Sequence, residues 1–319
     1  MIEIENIHAA AEVVKDLAVR TPTVFSPVLS ERTNAQIFLK LENLQLTGAF
    51  KIRGALNKIS RLTSSERSRG VITASSGNHG LAVAYGAKVF DLEATVYVPE
   101  NPNLEKLAAI KALGARVIRV GKDYEEAYGK AIETQRRTGA VFIHAFDDPA
   151  IIAGQGTMGL EVLQDVPELD TLIVPVGGGG LISGIAAAAK AIKHEIKIVG
   201  VQSTGAPAVY ESWRKRRIVR KKSVETIADG LASRQPGDLT FKMIQKHVDK
   251  MFLVTDSQMC QGILFLARKL HTIAEPSAAA SLAALLFKYK PRVKEKIGLV
   301  ISGGNISGEL LNRLLTSRP

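Results

Sequence analysis

Residues 71–99, VITASSGNHGLAVAYGAKVFDLEATVYVP, decide how this chain folds. Val71 to Ala74 make a short β-branched run, Ser75-Ser76-Gly77 interrupt it, residues 78–90 carry helical spacing, and ATVYVP at 94–99 returns to strand composition. Strand, helix and strand in that order form a βαβ unit, whose strands are parallel because the helix carries the chain back along the sheet. Working outward, the alternation continues with a helical pattern at 103–113, RVIRV (116–120), a helix at 123–138 and VFIHAF (141–146). TLIVPV (171–176), a helix at 181–192, IKIVGVQ (196–202), two or three helices through residue 289, IGLVIS (297–302) and a last helix at 307–315 complete it. The order predicts an α/β protein with helices on both faces of open parallel sheets. Asp148 ahead of Pro149, and Gly139 after residue 138, are helix start and stop signals. Upstream, IFLKLE (37–42) reads as a strand, and Ile7, Ala11, Val14 and Leu17 line one face of an N-terminal helix expected to pack on the sheet.

The chain has 319 residues, about two domains at roughly 150 residues each. With 46% hydrophobic and 23% charged residues it has the composition of an ordinary globular protein, which excludes a disordered, collagen-like or disulfide-stapled chain. Cys260 is the sole cysteine and has no partner for an internal disulfide. The N-terminus, MIEIENIHAA, places acids where a secretory signal carries bases, and the longest nearly apolar stretch, 277–287, is shorter than the ~20 residues of a membrane helix. A cytoplasmic protein without a membrane partner is expected. Subtracting 31 acidic from 42 basic residues leaves +11, much of it in Arg214, Lys215, Arg216, Arg217, Arg220, Lys221 and Lys222. Only Tyr210 and Trp213 stand near enough to stack on bases, so the run reads as a solvated face rather than a nucleic-acid site. A basic protein that binds anions or nucleic acid is the non-enzymatic alternative.

In open α/β sheets ligands bind beyond the carboxyl ends of the strands, so the chemistry is sought in strand-end loops. Ser75-Ser76-Gly77-Asn78-His79-Gly80 follows a strand and opens a helix, placing amides and hydroxyls where an anion can be held. Gly177-Gly178-Gly179-Gly180, between a strand and a small-residue helix, lets backbone N–H groups close around a phosphate. Ser302-Gly303-Gly304-Asn305 ends the last strand and can direct a neutral hydroxyl at a ring nitrogen. Gly154-Gln155-Gly156-Thr157-Met158-Gly159 spells the dinucleotide fingerprint, but no strand precedes it, so these glycines are expected inside a helix at close packing. His79 and His144 are too far apart to suggest a metal centre, and Asp147-Asp148 read as a helix cap, so no metal is expected. Lys51, within Thr47-Gly48-Ala49-Phe50-Lys51-Ile52-Arg53-Gly54-Ala55, lies near a helix start. An amine nucleophile, a phosphate cup and a ring-facing hydroxyl together are what a pyridoxal 5'-phosphate enzyme requires.

Over nearly its whole length the sequence resembles the fold type II pyridoxal-phosphate enzymes, in the serine/threonine dehydratase (threonine ammonia-lyase) and serine racemase branch. LENLQLTGAFKIRGA, SSGNHG, HAFDDPAIIAGQGT, VPVGGGGLISG, EPSAAA and SGGN carry the resemblance, in family order and spacing. It implies a tryptophan synthase β-like fold of two three-layer α/β/α domains, with residues 1–68 and 149–319 forming the large cofactor-binding domain. Residues 69–148 would form a small domain inserted in it and closing over substrate. Lys51 would bond covalently to the cofactor aldehyde, Phe50 would flank the ring, Asn78 would meet its phenolic oxygen and Gly177, Gly178, Gly179 and Gly180 its phosphate. Ser302 would face the pyridine nitrogen and Gly230 would lie beside the ring. Ser75, Ser76, Gly77, Asn78 and His79 would hold the carboxylate of an amino-acid substrate. The implied reaction is dehydration and deamination of L-threonine, L-serine or a relative such as 3-hydroxyaspartate to a 2-oxo acid and ammonia. Amino-acid racemisation is the alternative, alone or beside elimination, and a homo-dimer or tetramer is implied.

Four departures from the family pattern matter. Ala49 stands where many relatives have serine, removing one phosphate hydrogen bond worth about 1 kcal/mol. The stretch 202–208 resembles the divalent-cation loop of serine racemases but carries Gln202 and Ala208 at the carboxylate positions, so no strong magnesium or calcium site is expected. Ser76 matches the second acid/base of racemases, whereas Phe146 matches the dehydratases. The sequence ends at Pro319, soon after SGGN, so the C-terminal regulatory domain of long threonine dehydratases is not expected.

Overall fold

The computed structural model describes residues 2–102 and 104–316; Asn103, the expected start of one helix, and Pro319 lie outside them. Among the described residues the strands are β1 (Thr23–Phe25), β2 (Gln36–Leu41), β3 (Val71–Ala74), β4 (Ala94–Val98), β5 (Arg116–Arg119), β6 (Val141–Phe142), β7 (Thr171–Pro175), β8 (Lys197–Ser203), β9 (Lys250–Val254) and β10 (Lys296–Ile301). They form a six-stranded sheet ordered β1-β2-β10-β7-β8-β9 and a four-stranded sheet ordered β5-β4-β3-β6. Every pair is parallel except β1 with β2. In the smaller sheet the chain steps from β3 outward to β4 and β5, then returns on the other side of β3 as β6. In the larger sheet it steps from β7 to β8 and β9, then returns on the other side of β7 as β10. Each reversal opens a crevice at the carboxyl end of the strand it starts from. The Ser75–Gly80 loop leaves β3, and the Gly177–Gly180 loop leaves β7.

Four readings of the sequence need correction, the first being that four helices rather than two or three lie between β8 and residue 289: Ala208–Lys215, Asp238–His247, Asp256–Leu270 and Pro276–Phe287. The N-terminal helix, Ile4–Val14, packs not on a sheet but on helices, its buried Ile7 and Ala10 meeting Ile152, Ala153, Ala187 and Ala188. Strand β9 was hidden because KMFLV is short and follows directly on a helix, Asp238–His247. The antiparallel β1 escaped notice for the same reason, having three residues. The glycines of the false dinucleotide fingerprint do lie inside a helix, Pro149–Asp165. A Cβ at Gly154 would stand 2.6 Å from the Arg53 carbonyl oxygen, and one at Gly159 3.0 Å from that of Ile185, so these glycines let three helices cross at close approach.

Of those three, the Lys51–Ser60 helix is also tied down by charge. Arg53, 1% exposed, donates to Glu42 at 2.8 and 2.9 Å, to Glu161 at 2.6 and 2.8 Å, and to Thr157 at 3.1 Å. Lys40, equally buried, donates to Glu161 at 2.6 Å and to the Thr21 carbonyl, and Thr21 in turn bonds Glu42. Burial alone would raise the Glu42 pKa, but the Arg53 guanidinium holds it below the usual carboxylate range. Two carboxylates and two cations thus cancel within the core.

Four of the seven residues of the basic run have partners. Lys215 and Lys221 pair with Glu211, and Arg220 with Glu125. Arg214 lies over the Tyr210 ring, and Trp213 Nε1 donates to the Val248 carbonyl. No helix of the described residues is long and apolar enough to cross a membrane.

Breaking the quartet by Arg53→Ala removes every direct ion pair of Glu42 and leaves two carboxylates with Lys40 as their one cation. The expected loss of stability is about 3–5 kcal/mol, read as a fall in the urea midpoint; an unchanged midpoint would refute the role given to the quartet.

Candidate active site

Lys51 owes its place to a loop zipped onto the end of β10. Gly304 N–H donates to the Gly48 carbonyl at 2.8 Å, Phe50 N–H to that of Ser302 at 3.1 Å, and Ala49 bridges Gly303. Gly48 makes the turn at φ +69°, in the left-handed region where glycine is unstrained. The helix then begins at Lys51, whose Nζ donates to the Ala145 carbonyl at 2.7 Å and lies 5.2 Å from the Phe50 ring centre. Burial brings the Lys51 amine down to about 8, against an opposing pull from Glu275. A pKa this low leaves about a fifth of the amine neutral near pH 7.4, against about a thousandth for an unperturbed lysine, and the neutral form is the one an amine nucleophile needs.

The Ala145 carbonyl leads to the glycine loop, because the next residue, Phe146, lies against it. A Cβ at Gly178 would run into the Phe146 ring, and one at Gly180 would lie 2.8 Å from the Phe146 carbonyl oxygen. Gly179, at φ +102°, turns the chain into the Gly180–Ile192 helix, whose N-terminus has no side-chain cap. Uncapped N–H groups and the positive end of a helix dipole suit a phosphate. Gly177 abuts the Gly230 carbonyl, and Gly230 N–H donates to Ser277 Oγ at 3.0 Å, so Gly230 borders the same loop. Ser302 is buried directly after β10.

Across the cleft, Gly77 starts the Asn78–Val89 helix without a side-chain cap, while Gly77 N–H donates to Ser75 Oγ at 3.3 Å. Ser76 is half-buried, and a Cβ at Gly77 would meet nothing within 4 Å, so this turn borders open space. His79 turns inward: its buried Nε2 lies 2.9 Å from the Ile143 carbonyl, and burial, helped by Lys51, drives its pKa to about 3. The His79 ring is therefore neutral, leaving its backbone to face a ligand. Asn78 Nδ2 donates to both Glu275 carboxyl oxygens, at 2.8 and 3.0 Å, and Asn78 Oδ1 accepts from Asn305 at 2.8 Å.

Lys51, Phe50, Asn78, Ser302 and the glycine loop are thus linked through shared contacts; Gly230 borders the glycine loop, and the Ser75–His79 turn carries Asn78. Two participants were not read from the sequence. Glu275 sits before Pro276 and looks like an ordinary helix start; nothing in a Glu-Pro pair says that it faces the cleft. Asp147 and Asp148, read as a single cap, serve two helices: Asp148 caps its own, whereas Asp147 accepts from the N–H groups of Asp238, Leu239 and Thr240 at 3.0–3.1 Å. In the 202–208 stretch, Gln202 Oε1 accepts from Tyr210 N–H, while its buried Nε2 has no partner. Among the described residues no cluster of three His, Cys, Asp or Glu side chains is placed to hold a metal ion.

The neutral-prone amine beside an uncapped, side-chain-free phosphate cradle fits pyridoxal phosphate. The family model described as pyridoxal-phosphate dependent enzyme matches residues 14–303. The chain is 45% identical over 315 residues to the L-threonine ammonia-lyase of Thermotoga maritima, covering 99% of this chain and 78% of that protein. It is 38% identical to the L-threo-3-hydroxyaspartate ammonia-lyase of Saccharomyces cerevisiae, covering 98% and 96%. Its fold matches that of maize serine racemase with a TM-score of 0.94 at 37% identity, covering 98% of this chain and 97% of that one. Sequence, fold and cleft chemistry agree, and the chain belongs to the pyridoxal-phosphate dependent enzymes of fold type II.

Proposed function

We propose that this enzyme is an ammonia-lyase that eliminates water from L-threonine, L-serine or a related hydroxyamino acid, releasing a 2-oxo acid and ammonia. The observation that carries the reading is the Lys51 amine, drawn down to about 8 and donating to the carbonyl of Ala145, next to the Phe146 that packs on the glycine loop. The likeness to two ammonia-lyases supports it.

Bound pyridoxal phosphate supplies an electrophilic aldehyde and a ring that delocalises the electron pair left when the α-proton departs. Gly177–Gly180 would hold its phosphate, Asn78 its phenolic oxygen and Ser302 its pyridine nitrogen, with Phe50 and Gly230 flanking the ring. Ser302 offers a neutral hydroxyl, which cannot protonate that nitrogen as a carboxylic acid would, so charge is held briefly and prompt β-elimination is favoured. Ser75–His79 would bind the substrate carboxylate through backbone N–H groups and hydroxyls. Lys51, displaced by the substrate amine, would take the α-proton as general base.

Ser76 favours a second reading. A racemase needs a base on each face of the substrate, and a hydroxyl beside the open turn at Gly77 can serve on the face opposite Lys51. The fold likeness to a serine racemase supports this as a side activity. Residues 69–148 would act as a small domain closing over the substrate; the Asn78–Glu275, Lys106–Asp229 and Arg234–Asp123 pairs support that, each joining it to the rest of the chain. A homo-oligomer is supported by exposed Val24 and Phe25 on the edge strand β1 and by exposed Leu44 and Leu46. The lone cysteine, which can form no internal disulfide, supports a cytoplasmic setting, and the ion pairs of Lys215, Arg220 and Lys221 favour an enzyme over a nucleic-acid binder.

Lys51→Ala is expected to abolish keto-acid release from L-threonine, L-serine and 3-hydroxyaspartate, and Ser76→Ala to abolish D-serine formation while keeping more than about a tenth of the elimination rate. Chiral chromatography beside a keto-acid assay checks both; intact D-serine formation in Ser76→Ala would remove its acid/base role. Because only the neutral amine attacks the aldehyde, capture of cofactor by the apoprotein should accelerate as pH rises to about 8 and level off above it. An unperturbed lysine would keep accelerating to about pH 10.4, and stopped-flow absorbance distinguishes the two.

A further inference from the structure

Glu275 precedes the Pro276–Phe287 helix and is 6% exposed. The free N–H groups of the first turn receive no side-chain bond from Glu275. Its carboxyl reaches instead to Asn78 Nδ2, at 2.8 Å from Oε1 and 3.0 Å from Oε2. Burial raises the carboxyl pKa, with Asn78 opposing, and a carboxyl taken out of water this way is costly unless hydrogen-bonded. Asn78 is pinned on its other side too, where Asn305 Nδ2 donates to Asn78 Oδ1 and to the Thr47 carbonyl, both at 2.8 Å. An amide nitrogen only donates and a carboxylate only accepts, so these two neighbours admit one orientation of the Asn78 amide. The anchor is itself fixed: Glu275 N–H donates to the Gly303 carbonyl at 3.0 Å, and Gly303 has no room for a Cβ, which would fall 2.8 Å from Glu275 Oε1.

Asn78 Nδ2 carries two N–H groups that diverge far more widely than the two oxygens of one carboxylate, so Glu275 engages one of them in a bond shared between both its oxygens. We propose that Glu275 is a positioning residue: by holding one N–H of Asn78 it aims the other at the phenolic oxygen of pyridoxal phosphate. The inference rests on the assignment of Asn78 made above. It also explains why an acid that could cap its own helix is spent on a residue across the cleft.

The test compares wild-type holoenzyme with Asn78→Ala, Glu275→Ala, Glu275→Gln and Glu275→Asp. Two quantities are read at fixed pH: the balance between the absorption bands of bound pyridoxal phosphate, which responds to hydrogen bonding at its phenolic oxygen, and the rate at which the cofactor dissociates. Asn78→Ala and Glu275→Ala are expected to shift the bands in the same direction and to release cofactor about tenfold faster, the effect of one well-made hydrogen bond. Glu275→Gln keeps an acceptor facing Asn78 and should stay within about twofold of wild type. Glu275→Asp keeps the charge but withdraws the acceptor by one methylene, so it should behave like the alanine variant and gives the same reading should that variant not fold. If Asn78→Ala alters the bands while Glu275→Ala or Glu275→Asp does not, the positioning role is overturned and the assignment of Asn78 stands. If Asn78→Ala also leaves them unaltered, both fall. A Glu275→Gln as disturbed as Glu275→Ala would show that charge rather than orientation matters, and would overturn the proposal as well.

Discussion

Everything at the site depends on where the first turn of the Lys51–Ser60 helix is held, and Arg53 holds it. Two residues beyond Lys51, its guanidinium bonds Glu42 at the end of β2 and Glu161 on the Pro149–Asp165 helix. These ions are buried, and apolar residues of the same volume would stabilise a core as well or better. What ions add is direction: a forked donor between two carboxylates fixes the rotation of the helix about its axis. The glycines at 154 and 159 fix its depth and that of its neighbours. A lysine one turn away or 1 Å deeper would miss both the Ala145 carbonyl and the cleft.

The second constraint is topological. Each of the two sheets reverses its strand order once, and each reversal puts a side-chain-poor loop at the mouth of a crevice. One crevice presents an uncapped helix N-terminus that would suit a phosphate; the other presents a similar N-terminus bearing Ser75, Ser76 and Asn78, which would suit a carboxylate. Two anion sites facing one neutral-prone amine are what binding an amino acid next to a phosphorylated cofactor demands. Asp147 and Glu275 join the two halves, each spending its carboxylate on a partner in the other.

Much of this was legible before any coordinates. The βαβ alternation gave the sheets, and the loops at Ser75, Gly177 and Ser302 were legible because glycine and hydroxyl residues after a strand have few other uses. The false fingerprint at Gly154 was legible for the converse reason, since no strand precedes it. What the sequence concealed depends on contacts distant along the chain. Strand β9 was concealed because five residues of KMFLV carry no periodicity of their own. The N-terminal helix announced its apolar face but not what covers it. Arg53, Glu42 and Glu161 look like three unrelated surface charges, and Arg53 and Glu161 stand 108 residues apart. Glu275 is concealed most completely, because its local setting spells an ordinary cap while its partner lies 197 residues away.

The claim that Lys51 is the residue to which the cofactor is bonded can be tested directly by reducing the holoenzyme with borohydride and mapping the pyridoxyl-modified peptide by mass spectrometry. The expected result is one modified lysine, Lys51, with Lys40 and Lys58, each already paired with a carboxylate, left unlabelled. Label on any other lysine, with Lys51 free, would contradict the account.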